Sequence, residues 1–328
     1  MKERLLDLLA CPTCGGEILM PYASRYEGSE IMEAVLSCKK CLREYKVEGG
    51  IPRFADLSKL EEEKVETAKN FGWQWTHFNQ SDEKYESQFL GWLKPVEPSF
   101  FHNKLILECG CGKGRHTVLA AKWGAKEVVG VDLSSAVESA FEKVRNLPNA
   151  HIVQGDIFRL PLKKAFDYAF SIGVLHHTPS PKKAFLCMVS RVKQGGAVSV
   201  WVYGAENNEW IVKYVSPIRE RFTSKMRPDL LFHLSKIPTL AVYLTSKMIY
   251  KPLSKLFAGK KFFYSDYMLH LSEFGWREQH NIVFDHLTAP VAFYISKDEF
   301  EQWWEAAKAK DVQITWHNEN SWCGFGKF

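Results

Sequence analysis

The chain has no uninterrupted apolar run near the roughly 18 residues that a membrane-crossing helix needs, so no transmembrane segment is expected. The opening MKERLLDLLA is expected to make a poor export leader, because its apolar stretch is short and broken by Asp7. The eight cysteines lack the spacing of a disulfide framework. Four of them form two CxxC pairs within the first 41 residues, and Cys109, Cys111, Cys187 and Cys323 are scattered. This usage is that of a cytoplasmic protein with one metal site and free thiols. Acid is nearly absent from one stretch: Lys213 to Lys261 holds eleven Lys or Arg against Glu220 and Asp229. That is a local +9 in a chain of net +5, so the remainder is slightly acidic.

What is present centres on Leu105 to Ser134, LILECGCGKGRHTVLAAKWGAKEVVGVDLS. A short apolar run ends at Glu108, and Gly110, Gly112 and Gly114 then alternate with Cys111 and Lys113. From His116 the apolar spacing becomes helical until Gly124, and Val128 to Val131 run as a second strand into Asp132. The unit is strand, glycine turn, helix, strand, acid. Glycines admit positive φ and a close ligand, the helix start offers unpaired N–H groups, and a strand-terminal acid can take both hydroxyls of a ribose. A glycine turn alone also serves as a packing device. The acid before the glycines and Asp132, 18 residues after Gly114, make this pattern more specific.

These residues resemble motif I and the following acidic position of the class I S-adenosylmethionine (SAM) dependent methyltransferases, in the methyltransferase type 11 and ubiquinone/menaquinone group. A dinucleotide fingerprint would instead keep G-x-G-x-x-G. The resemblance implies an α/β, Rossmann-like, seven-stranded sheet. It assigns Glu108, Gly110, Gly112 and Gly114 to the methionine side of the cofactor, and Asp132, with Leu133 beside it, to the ribose. Farther on, Asn149 to Val153 reads as a strand before Gln154-Gly155-Asp156-Ile157. In the resembling family such an Asp takes the adenine amine and the next N–H its ring nitrogen, which falls to Asp156 and Ile157. The plain alternative is a turn Asp capping a loop.

Phe166 to Leu175 is a nearly continuous apolar run suited to a central parallel strand. It ends at His176-His177-Thr178-Pro179, where an open α/β sheet places its ligands. Gly173 to His177 is therefore the expected reacting edge. His176 and His177 are candidate general bases, since imidazole titrates near neutral pH; in similar enzymes the first such histidine is often structural or lines the cofactor pocket. The Asn-Pro-Pro-Tyr type sequence of enzymes that methylate adenine or glutamine amines is absent here, which disfavours that chemistry.

Cys11-Pro-Thr-Cys14 and Cys38-Lys-Lys-Cys41, separated by 23 residues, read as two knuckles of one structural zinc site. A redox CxxC is the alternative, though such a motif normally occurs once. With GGIPRF at 49 to 54, residues 1–56 resemble the small zinc-ribbon activators of tRNA, rRNA and protein methyltransferases, here fused to the catalytic chain. Residues 57–100 carry a charged run and an aromatic cluster; FGWQWTHF lies across the cofactor as a lid or simply packs. Residues 101–204 and 291–328 are assigned to the methyltransferase domain, the latter with a Ser296 to Glu299 capping box and a closing hairpin. Residues 205–290 form a basic, mainly helical insertion.

Three readings of that insertion stay open: a cap over the acceptor, a peripheral membrane contact through 213–261, or an RNA-binding patch. The expected function is methyl transfer from SAM to oxygen or carbon of a small, fairly apolar or lipid-like acceptor. The alternatives are an RNA (rRNA or tRNA) methyltransferase and a non-catalytic SAM-binding scaffold. Some rRNA guanine methyltransferases resemble this layout, but they usually include a histidine among the zinc ligands, whereas all four candidates here are cysteines.

Overall fold

The computed structural model describes residues 1–78, 84–256 and 263–328, so the end of the basic segment, at 257–262, lies outside the described residues. Four antiparallel strands come first: β1 (Ile18–Glu27), β2 (Glu30–Cys38), β3 (Glu44–Glu48) and β4 (Ile51–Arg53). Two helices follow, α1 (Glu62–His77) and α2 (Tyr85–Leu93). The expected cofactor unit then appears as β5 (Leu105–Cys109), α3 (Arg115–Lys122) and β6 (Glu127–Asp132), continuing through α4 (Ala136–Val144), β7 (Ala150–Gln154), β8 (Phe166–Ile172), α5 (Pro181–Val189) and β9 (Val192–Tyr203).

Strands β5, β6, β7, β8 and β9 pair in parallel. Helices cover both faces, so Ile106, Leu107, Val128, Val129 and Phe170 are fully buried. Burial on both sides explains why these strands read as apolar runs without alternation. The chain closes with α12 (Lys297–Ala306), β10 (Lys310–His317) and β11 (Ser321–Lys327), the last antiparallel to β9; these labels follow six helices of the insertion, given below. Ser296 Oγ accepts from the Glu299 N–H at 3.2 Å, which caps the helix as its sequence predicts.

The order β7-β6-β5-β8-β9-β11-β10 is the seven-stranded class I methyltransferase sheet, and β1-β2-β3-β4 extend it to eleven strands. This extension was not visible in the sequence, where residues 1–56 read as a separate module. Arg53 of β4 pairs in parallel with Gln154, and the Phe54 N–H donates to the Gln154 carbonyl at 2.9 Å. A sheet edge with unpaired backbone groups is covered in this way. Leu5, Leu9 and Leu36 are fully buried in one apolar cluster with Leu107, Val129 and Leu162. Each such side chain is worth about 1.5–3 kcal/mol of burial, so the ribbon and the sheet share a core.

The insertion is helical: α6 (Ser216–Arg221), α7 (Pro228–Leu234), α8 (Lys236–Leu244), α9 (Lys251–Leu256), α10 (Ser265–Glu273) and α11 (Trp276–Thr288), with π turns at Ile211–Val215 and Thr245–Tyr250. Its inner side is fastened to α1: Asn70 Nδ2 donates to the carbonyls of Ser224 and Thr288, each at 3.0 Å. Its outer side leaves Leu230, Leu234, Ile237, Leu240, Leu244 and Met248 exposed. No described helix is long and apolar enough to cross a membrane.

Candidate functional site: a donor cavity and its neighbour

At the carboxyl ends of β5, β6 and β8 lies a cavity that opens to solvent. The glycine turn forms its floor. Gly110 and Gly112 have φ of 80° and 49°, and a Cβ on Gly110 would meet Val174 Cγ2 at 2.3 Å. A Cβ on Gly112 would stand 3.2 Å from Trp75 Nε1, so this glycine keeps the turn and α1 close together. Gly114, at φ 77°, caps α3 against Ala140 and does not line the cavity.

Asp132 ends β6 at the cavity wall, beside Leu133. Its Oδ2 accepts from the Gly112 N–H at 2.8 Å, and its Oδ1 from the N–H and hydroxyl of Ser134 at 2.8 and 2.7 Å. The acid therefore ties the glycine turn to the end of β6 while facing the cavity. Glu108 sits beneath the turn and does not line the cavity. It is 1% exposed, accepts from the Thr117 hydroxyl, and stands 3.3 Å from His116 Nδ1. Burial raises its carboxyl to about 8, which keeps it protonated at neutral pH.

On the opposite side Asp156 and Ile157 line the cavity with Gly173. Asp156 is partly committed already: Oδ1 accepts from the Phe158 N–H at 2.9 Å, and Lys64 Nζ of α1 lies 3.1 Å from Oδ2. The same ammonium stands 4.3 Å above the Phe158 ring. Lys64, Thr67, Ala68, Phe71 and Trp75 place one face of α1 over the cavity, which is the geometry of a lid. Spacing of aromatics gave no reliable sign of this, because packed and cavity-facing aromatics share one periodicity.

The two histidines at the end of β8 part company. His177 lines the cavity 5.0 Å from the Phe71 ring, and its Nδ1 donates to the Val291 carbonyl at 2.7 Å, which leaves Nε2 as the acceptor nitrogen. Burial lowers its pKa, so it is neutral. His176 is fully buried against Tyr203, does not line the cavity, and has no hydrogen-bond partner for either ring nitrogen among the described residues.

A second cavity adjoins the first and shares Trp75, Arg115, Ile172 and Gly173 with it. Arg115 follows the glycine turn directly, so its place could have been read from GKGR. Its guanidinium lies 4.7 Å from the Tyr85 ring centre and 5.6 Å from that of Trp92; Nε donates to His116 Nε2 at 3.0 Å, and Nη1 is buried without a hydrogen-bond partner among the described residues. That makes it an available cation at the border of both cavities.

In the ribbon, Cys11, Cys14, Cys38 and Cys41 bring their sulfurs within 4.8 Å of one another, with 3.6 Å between Cys11 and Cys41 and 3.4 Å between Cys14 and Cys38. A zinc ion with sulfur at about 2.3 Å needs tetrahedral edges of about 3.8 Å, so the four thiolates fit a structural zinc. A Cβ on Gly16 would come within 2.8 Å of Cys38 Sγ, so only glycine leaves the cluster room. The Tyr45 hydroxyl stands 3.1 Å from Cys11 Sγ.

Sheet order, glycine floor and strand-terminal acids define a class I SAM-dependent methyltransferase domain. Residues 107–200 match the family model described as a methyltransferase domain, and residues 2–50 match the one described as Trm112p-like protein. A tRNA U34 carboxymethyltransferase of Shewanella sp. (strain W3-18-1) is 30% identical over 188 residues, 49% of this chain and 57% of that protein. The protein of the same name from Shewanella sediminis (strain HAW-EB3) is 33% identical over 153 residues, 40% and 44% of the two chains. The chain thus spans about half the length of the curated relatives it matches. Among solved structures, a complex of the Haloferax volcanii Trm112 methyltransferase activator with a methyltransferase is 13% identical, with a TM-score of 0.46, over 80% of this chain and 96% of that one.

Proposed function

We propose that the chain is a SAM-dependent transferase whose acceptor is RNA, with tRNA as the first substrate to test. The observation that carries this reading is the similarity to relatives named for tRNA modification. The second cavity supports it. Gln74, Asn281, Asp285 and Asn320 place polar edges along that cavity, and a lipid-like acceptor would leave Gln74 Oε1, which has no partner among the described residues, unpaired at a cost of about 1–3 kcal/mol. The apolar acceptor expected from the sequence is therefore the weaker reading.

In this account Asp132 holds the ribose, Asp156 and the Ile157 N–H the adenine, and Arg115 the carboxylate of the donor. The donor supplies an electrophilic carbon on a sulfonium. Gly173 lets the two cavities meet without a side chain between them, and His177 Nε2 accepts the proton that the acceptor releases. Lys64 and Phe71 close α1 over the donor and exclude water.

Methyl-labelled SAM incubated with separated tRNA, rRNA, lipid, protein and small-molecule fractions tests the reading. Label in the tRNA fraction is expected, and label confined to lipid or small molecules contradicts it. Because the relatives are named for carboxymethyl transfer, the mass of the product decides which group moves.

A further inference from the structure

We infer that the second cavity is a nucleobase pocket: it takes one neutral, planar heterocycle, extruded from its strand, between aromatic walls built by β9 and α2 and polar edges built by α1 and α11. The inference rests on the RNA reading and adds the part of the acceptor that is recognised and the residues that recognise it.

The walls come first. Trp92 of α2 and Trp201 of β9 line the cavity with ring centres 4.8 Å apart, and Tyr203 follows 5.4 Å from Trp201. Aromatic faces of this kind hold bases by stacking. The polar groups then show an unmet demand. Gln74 is fully buried, and its Nε2 donates to Asn281 Oδ1 at 2.9 Å and to Asp285 Oδ1 at 3.2 Å. That orientation leaves Gln74 Oε1 without a partner among the described residues, as are Gln88 Oε1, Trp201 Nε1 and His286 Nδ1, all on residues lining this one cavity. Buried polar atoms are normally paired, so four orphans around one cavity mark the place of a ligand with its own donors and acceptors.

Charge narrows the ligand. Arg115 is the cation among the lining residues, against the carboxylates of Glu278 and Asp285. Burial also keeps the lining imidazoles neutral, with His286 and His317 both lowered to about 4. A phosphate or other strong anion has no cluster of positive groups to meet here, whereas a neutral base carrying N–H and C=O groups meets one donor, Trp201 Nε1, and two amide acceptors. The shared wall at Ile172 and Gly173 places such a base next to the donor cavity.

The test uses the full chain saturated with S-adenosylhomocysteine and titrated calorimetrically with uridine, cytidine, adenosine and guanosine, with ribose 5-phosphate as the ligand lacking a base. At least one nucleoside is expected to bind saturably and ribose 5-phosphate is not. Trp201→Phe and Gln74→Ala should each weaken that binding tenfold or more, with S-adenosylhomocysteine affinity kept within twofold as the check on folding. No nucleoside binding, or binding indifferent to both substitutions, overturns the pocket. If RNA becomes labelled while both variants retain the wild-type KM for it, the pocket is wrong and the RNA reading stands. If nucleosides bind as described but no RNA fraction is labelled, the RNA reading fails and the pocket stands.

Discussion

Asp132 accepts three hydrogen bonds from the protein in addition to those proposed from the hydroxyls of a ribose, so its loss acts on both the ligand and the turn. Asp132→Ala should lower SAM affinity by at least about a hundredfold, given about 1.5–3 kcal/mol for each bond to a charged group. Calorimetry checks this, with the melting temperature showing that the fold survives. Glu108 makes a different prediction. Its carboxyl is raised by burial from 4.5 to about 8, so the folded state holds a proton that the unfolded state has released across that interval. Its stabilising contribution is complete below about 4.5 and is lost as pH rises through about 8. Glu108→Gln should therefore flatten the fall in stability between those values, measured by urea unfolding at a series of pH. Glu108 was legible as part of the motif, yet its burial beneath the turn was not, because a side chain facing a ligand and one bracing the backbone look alike in sequence. His176 and His177 show the same limit: adjacent and identical, they are separated only by the Val291 carbonyl that fixes one of them. His177→Ala should lower kcat with little change in SAM affinity, whereas His176→Ala should lower the melting temperature.

At the scale of elements, β5, β6 and β7 were readable nearly to the residue, since each is a buried apolar run ending next to a glycine or an acid, whereas the apolar run Phe166 to Leu175 outlasts β8, which ends at Ile172 where Gly173 turns the chain. The pairing of β4 with β7 left no sign in the sequence: it is a contact between distant backbones, made through Arg53 and Phe54. It has a consequence for the metal. Gln154, the residue so paired, lies two positions before Asp156, so chelating zinc should loosen the ribbon and weaken SAM binding as well as lower the melting temperature. Calorimetry before and after chelation, and after zinc is restored, measures this. The outer face of α8 and of the π turn that follows it lines neither cavity, so replacing Ile237 and Met248 together with Glu should leave S-adenosylhomocysteine affinity within twofold.

For the molecule as a whole, the donor half of the reaction was written in Leu105 to Ser134, and the acceptor half was dispersed. The cavity proposed for it draws on Gln74, Trp92, Arg115, Trp201, Asp285 and Asn320, which belong to separate elements and meet only in the folded chain. Spacing cannot reveal such a set. The insertion between Ala205 and Pro290 reads in sequence as a basic, greasy segment; folded, it gives α10 and α11 to the second cavity and turns its aliphatic stripe outward. The most direct measurement is therefore made on the product: tRNA treated with the full chain and labelled SAM, digested to nucleosides and resolved by mass spectrometry. A single labelled nucleoside, absent with the Asp132→Ala variant, is the expected result. Unmodified tRNA nucleosides beside a labelled lipid or small metabolite would contradict the account.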